Sequence, residues 1–180
     1  MFKKFLLSLG VLAFAGGSAV LGTQALLSDD VTLTANTFTT GTVDLQIRVG
    51  ANPYADTQAG FSATLLPGQS STSEFLLKNN DSQVDLEISA QSIVTGSVLD
   101  PSLVMVEFTA VDAINVPTGT PVSQSLAAWT TPTSLGLPNI ISNGEQKYLM
   151  KVTIDPSVTA SNVSSVFDFV FTGTQVVPAP

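Results

Sequence analysis

Two residue types are missing altogether: the 180-residue chain has no cysteine and no histidine. The first absence rules out a disulfide framework, thiolate metal sites and a cysteine nucleophile. The second removes the commonest metal ligand and the commonest general base at neutral pH. Charge is also sparse, at 11% of residues, and positive charge is sparsest, with six Lys and Arg against fourteen Asp and Glu. Two of the six, Lys3 and Lys4, lie in the leader described below. Without them, Arg48, Lys78, Lys147 and Lys151 stand against the fourteen acids, and the net charge is −10. A surface of that sign repels phosphates, so nucleic acid is not expected as a partner. The acidity favours solubility and says little about any specific partner.

Catalysis is hard to build from what remains. A zinc hydrolase needs imidazole or thiolate ligands and a general base, typically as H-E-x-x-H. Carboxylates alone suit harder cations, and the acids here are scattered singly along strand-like segments. A serine nucleophile lacks its histidine. The expectation is a protein with no catalytic residues, no metal site and no cofactor. Asp29-Asp30 and Asn79-Asn80-Asp81 do set oxygen ligands side by side, as a weak calcium site would. A solvated strand start and a turn account for them more simply. Asn80-Asp81-Ser82 and Asn162-Val163-Ser164 match the N-glycosylation sequon, which makes Asn80 and Asn162 acceptor candidates on a short, frequent pattern.

What is present begins with a leader. Lys3 and Lys4 precede an apolar run from Phe5 to Ala15, then Gly16-Gly17-Ser18-Ala19, and Thr23-Gln24-Ala25 supplies small side chains for a signal peptidase. An uncleaved anchor is the alternative, because Phe5 to Leu27 is uncharged and long enough to span a membrane. The glycine break and the small-residue end favour a signal helix cleaved between Ala25 and Leu26. On either reading the domain lies outside the cytoplasm.

Beyond the leader the pattern is that of strands. Val31, Leu33 and Ala35 alternate with Thr32 and Thr34 over Asp30 to Ala35, the period of a half-buried strand. Such a strand at the mature N-terminus is either tucked into its own sheet or given to another molecule. Thr37 to Thr42 reads as a turn. Val43, Leu45, Ile47 and Val49 then face one way, with Asp44, Gln46 and Arg48 opposite. Gly50 to Gly60 reads as a loop, and Phe61 to Leu66 as a short strand stopped by Pro67-Gly68. Ser73 to Lys78 and Val84 to Ala90 read as further strands, so that Phe61 to Ala90 has the look of a meander. Leu103 to Val111 carries Val104, Val106, Phe108 and Ala110 on one face. Asp112 to Asn139 reads as a long connection with one irregular element at Leu126 to Trp129, and Trp129 as a core anchor. Tyr148, Met150, Val152 and Ile154 make another inward face. Val166 to Thr172 closes the domain, with Phe167, Phe169 and Phe171 on one side and Asp168 on the other. No helix-period segment of useful length follows Ala25. The expected fold is all-β: an antiparallel two-sheet sandwich of residues 37–180, behind a signal peptide (1–25) and an N-terminal strand (26–36).

Several segments, in order, resemble the TasA/camelysin family of secreted biofilm-matrix fibre proteins. They are Ala25 to Asp29, Asn36-Thr37-Phe38-Thr39-Thr40-Gly41-Thr42-Val43-Asp44-Leu45, Leu66-Pro67-Gly68, Phe75 to Asn80, and Phe167 to Gln175. The chain departs from the longer fibre proteins in a shorter, less charged Asp112 to Asn139 region. The resemblance implies a jelly-roll-like sandwich processed by a signal peptidase. It also implies a homopolymer in which the N-terminal strand of one subunit completes the sheet of the next. That donor role falls on Ser28, Asp29, Asp30, Val31, Thr32, Leu33, Thr34 and Ala35. The expected function is a secreted structural subunit of matrix or cell-surface filaments, with itself as principal partner and other matrix or surface proteins beside it. A monomeric secreted binding module is the alternative from another class. A surface protease is kept as a third because camelysin-like proteins have been described as metalloproteases, against which the missing histidine argues.

Overall fold

The computed structural model describes residues 31–33, 37–40, 44–60, 62–80, 83–136, 138–159 and 163–176. The leader, the cleavage point at Ala25 and Leu26, and Ser28, Asp29, Asp30, Thr34, Ala35 and Asn162 lie outside these residues. In chain order the strands are β1 (Val31–Leu33), β2 (Thr37–Thr40), β3 (Leu45–Val49), β4 (Thr57–Ala59), β5 (Ala63–Leu65) and β6 (Ser70–Asn79). They continue with β7 (Leu86–Ser97), β8 (Val104–Val111), β9 (Val122–Ser125), β10 (Thr133–Ser134), β11 (Glu145–Ile154) and β12 (Val163–Gln175). Among the described residues the helical elements are short 3-10 turns at Pro101–Leu103 and Ala128–Thr130.

These strands form two sheets. The first runs β10-β7-β12-β1-β5, with β2 also on β12 and β4 on β2; the second runs β3-β6-β11-β8-β9. Pairing is antiparallel throughout except where β1 and β2 lie parallel to β12. The sandwich expected from strand periodicity is therefore present. The meander is not: β5 and β7 belong to the first sheet and β6 to the second, so the chain crosses between sheets at each connection. One crossing is a tight turn at Leu66-Pro67-Gly68-Gln69, closed by Gln69 N–H donating to the Leu66 carbonyl (2.9 Å). Gly68 sits there at φ +80°, the left-handed backbone that the third position of a type II turn requires.

The core lies between the sheets. Phe167, Phe169 and Phe171 project inward from β12 and are fully buried. They meet Phe75, Phe108 and Trp129; Phe108 stands edge-on to Phe169 at 5.0 Å, and Phe75 lies 5.0 Å from Phe171. Trp129 is buried as the sequence suggests, and its indole N–H donates to the Val106 carbonyl (3.0 Å), which satisfies the one polar atom it brings inside. Each such side chain contributes about 1.5–3 kcal/mol on full burial. On β7, Thr95 is the extra residue of a bulge: the partner of Val166 is Gly96 and that of Phe167 is Val94. The bulge resets the alternation, so Ser97 turns inward to meet the buried Ser165 hydroxyl (3.1 Å).

Three segments read as irregular contain strands. Thr37 to Thr42, which reads as a turn, holds β2. Gly50 to Gly60, which reads as a loop, holds β4 and a bridge from Ala55 to Ile47. Asp112 to Asn139 holds β9 and β10 on either side of the Trp129 turn. All of these elements are short, and those whose side chains are described are mostly polar and partly exposed, so no apolar period marks them.

Candidate functional site

The strand that sequence singles out, β1, occupies a slot between two strands of its own chain. On one side Val31, Thr32 and Leu33 run parallel to Val163, Ser164 and Ser165; on the other they run antiparallel to Leu65, Thr64 and Ala63. Both edges of β1 are thus paired, and both walls come from residues distant in sequence. Val163 and Leu65 are buried at the inner side of these walls, and Ser165 is fully buried.

β2 continues the line of β1. It pairs with Phe169, Val170 and Phe171 of β12 and with Ala59, Gln58 and Thr57 of β4. Against β4 and β5 the register is unbroken: between Leu33 and Thr37 the partner moves from Ala63 to Ala59, the same number of residues. Against β12 it slips. Between Leu33 and Phe38 the partner moves only from Ser165 to Phe169, one residue fewer. At that step the Thr37 N–H donates to Oδ1 of Asp168 (2.7 Å), a side chain standing in for a main-chain carbonyl. The anionic acceptor makes this a charge-assisted bond, stronger than an ordinary amide–carbonyl pair. Sequence reasoning placed Asp168 correctly on the outer face and gave it no role. Of the strands flanking the N-terminal line on this side, β5 falls within the segment that reads as a strand and β4 within the segment that reads as a loop.

The remaining sequence candidates are placed as follows. Asn79, the first member of a proposed calcium cluster, is fully buried, and its amide nitrogen donates to the carbonyls of Val84 (2.7 Å), Ile141 (3.3 Å) and Ile140 (3.4 Å). It ties the start of β7 to the start of β11. Asn80 is partly buried beside it, its N–H donating to the Asp44 carbonyl (2.9 Å). Among the described residues no group of three or more Asp and Glu is placed to hold a metal ion.

A group of charged and aromatic side chains lies on the outer face of the second sheet. The Arg48 guanidinium lies 4.7 Å from the centre of the Tyr54 ring, and Lys78 Nζ 5.5 Å from it. The Tyr54 hydroxyl donates to Glu145. Burial, then the hydrogen bond to Glu145 and its charge, push the Tyr54 hydroxyl up to about 12, against the opposing pull of Arg48. Lys147 pairs with Glu74 at 2.8 Å on the same face. These contacts gather Arg48, Lys78 and Glu145 around the Tyr54 ring and hydroxyl. The slot joins the first strand of the described residues, β1, to strands of the domain along both of its edges. No family model matches the chain, and no curated protein matches it.

Proposed function

We propose that this chain is a secreted, non-enzymatic structural subunit of extracellular or cell-surface filaments of the biofilm-matrix type, built on a jelly-roll-like sandwich. It polymerises when the mature N-terminal strand, Ser28 to Ala35, of one copy enters the slot of the next. The observation that carries this reading is the double-edged pairing of β1 at the extreme N-terminal end of the described chain. The slot's walls, β5 and the start of β12, belong to the domain and offer the same main-chain groups to a strand from any copy.

Energetics favour a two-sided slot over simple side-chain anchoring. Ordering the eight residues from Ser28 to Ala35 costs roughly 8–16 kcal/mol in backbone entropy. Burying Val31 and Leu33 would return about 1.5–3 kcal/mol each. Ladder hydrogen bonds on both flanks must supply the rest. A strand at a chain terminus can leave its own slot without unthreading any other element, the topological requirement for exchange.

Two variants test the proposal. One lacks Leu26 to Ala35; the other carries Val31→Asp and Leu33→Asp. Both are expected to be folded monomers under conditions where the unmodified mature protein forms filaments visible by electron microscopy. Filaments from either variant, indistinguishable from those of the unmodified protein, would overturn it.

A further inference from the structure

We infer that Asp168 sets the limit of strand exchange: residues up to Leu33 pass to the neighbouring copy, while Thr37–Thr40 stay at home, held by the Asp168 carboxylate. The inference rests on the assembly reading above and specifies how much of the first sheet two copies share.

Three observations carry it. The N-terminal line is continuous against β4 and β5 but stepped against β12, so β1 and β2 are separate units on the one strand they both share. The step falls where the Thr37 amide is bound by Asp168 Oδ1 at 2.7 Å, in a partly buried position. A charged acceptor there pins the first residue of β2 independently of anything β1 does. Finally, β2 pairs with Phe169, Val170 and Phe171, and the two phenylalanine rings form the middle of the aromatic core, whereas β1 pairs with Val163 to Ser165 at the beginning of β12. Removing β1 uncovers the entry of that strand and the facing edge of β5, and leaves the pairing of β12 beside the central rings in place. Removing β2 as well would bare the backbone over the central rings. Asp168 itself lies on the outer face, paired through its main chain with Ile93, so its carboxylate holds Thr37 without any inward role of its own. Asp168 is a positioning residue for assembly: it fixes where the crossing between copies takes place.

The absence of native cysteine makes the test clean. Two reporter pairs are built on register partners, whose spacing across adjacent strands suits a disulfide. Thr32→Cys with Ser164→Cys reports on β1, and Thr39→Cys with Val170→Cys reports on β2. Filaments are assembled, mildly oxidised and run on a non-reducing gel. The β1 pair is expected to link chains into a ladder, and the β2 pair to close within single chains. Asp168→Ala should raise the interchain fraction of the β2 pair by about tenfold, and Asp168→Asn, which keeps a neutral acceptor, by less. If Asp168→Ala does not fold, Asp168→Asn carries the test through amide hydrogen exchange, which must quicken at Thr37 relative to β12. Interchain linkage of the β2 pair with Asp168 intact, or no response to either substitution, overturns the inference and leaves the assembly reading standing so long as the β1 pair still links chains. Filaments in which both pairs close only within chains overturn the assembly reading itself.

Discussion

Phe169 shows how single residues hold this fold. Its ring lies between those of Phe108, Trp129, Phe167 and Phe171, with centroid separations from 5.0 to 6.3 Å, and it is fully buried. Phe169→Ala leaves a cavity that a rigid sandwich cannot close, and about 3–5 kcal/mol of stability should be lost in denaturant unfolding. Asn79 works by different means. A buried amide is costly unless paired, and its bonds to the Val84, Ile140 and Ile141 carbonyls turn that cost into a fixed geometry for two connections. Tyr54 gives the residue scale a pH signature. Its hydroxyl is raised from the ordinary value of 10.0 to about 12, so the folded state holds that proton more tightly than the unfolded chain does. The stabilisation is complete below pH 10.0, falls as pH rises, and is gone above about 12. Tyr148, raised by burial alone, adds to the same alkaline loss. Unfolding free energies across that range should fall less steeply for Tyr54→Phe than for the unmodified protein.

At the scale of elements, what sequence reveals depends on whether a strand has one wet face and one dry face. β3, β11, β12 and the first part of β8 do, and their alternation, from Leu45 and Ile47 to Phe167, Phe169 and Phe171, places their inward residues correctly; at the end of β8 both faces are buried, at Thr109 and Val111 as well as Phe108 and Ala110. β4 is three residues at a sheet edge, exposed at Thr57 and Ala59, and nothing in its composition separates it from a loop. β2 is rich in threonine, which serves turns and strands alike, and its pairing with β12 and β4 is invisible locally because the partners lie far along the chain. Alternation also cannot say which sheet a strand joins. That is why Phe61 to Ala90 reads as a meander when it crosses from the first sheet to the second and back. The candidate site was legible in part for the same reason. β1 has its own period, whereas the slot exists only once β5 and β12 are brought together. The Asp168–Thr37 bond depends on a one-residue slip that no single segment encodes.

Over the whole molecule, charge is divided between the faces. Arg48, Lys78, Lys147 and Lys151 all lie on the outward side of the second sheet, accompanied by Glu74, Glu107 and Glu145. The outward side of the first sheet, which contains the slot, carries Glu87 and Asp168 and no basic residue among the described residues. A fold held by an aromatic core and main-chain ladders, with no thiolate or imidazole in its sequence, should need no metal. Adding a chelator is expected to leave the melting temperature unchanged; a fall of several degrees would reveal a carboxylate-bound cation.

The central claim is that the strand in the slot comes from another copy, and mixing two single-cysteine chains tests it most directly. One chain carries Thr32→Cys alone and the other Ser164→Cys alone, so neither can form the register-matched disulfide by itself. The two are unfolded, mixed, refolded and assembled together, then oxidised and run on a non-reducing gel. Exchange between copies predicts a disulfide-linked pair containing one chain of each kind, formed in filaments and absent when Leu26 to Ala35 is deleted from the Thr32→Cys chain along with its cysteine. Filaments that form normally yet yield only unlinked chains would contradict the account, because each strand would then be filling its own slot.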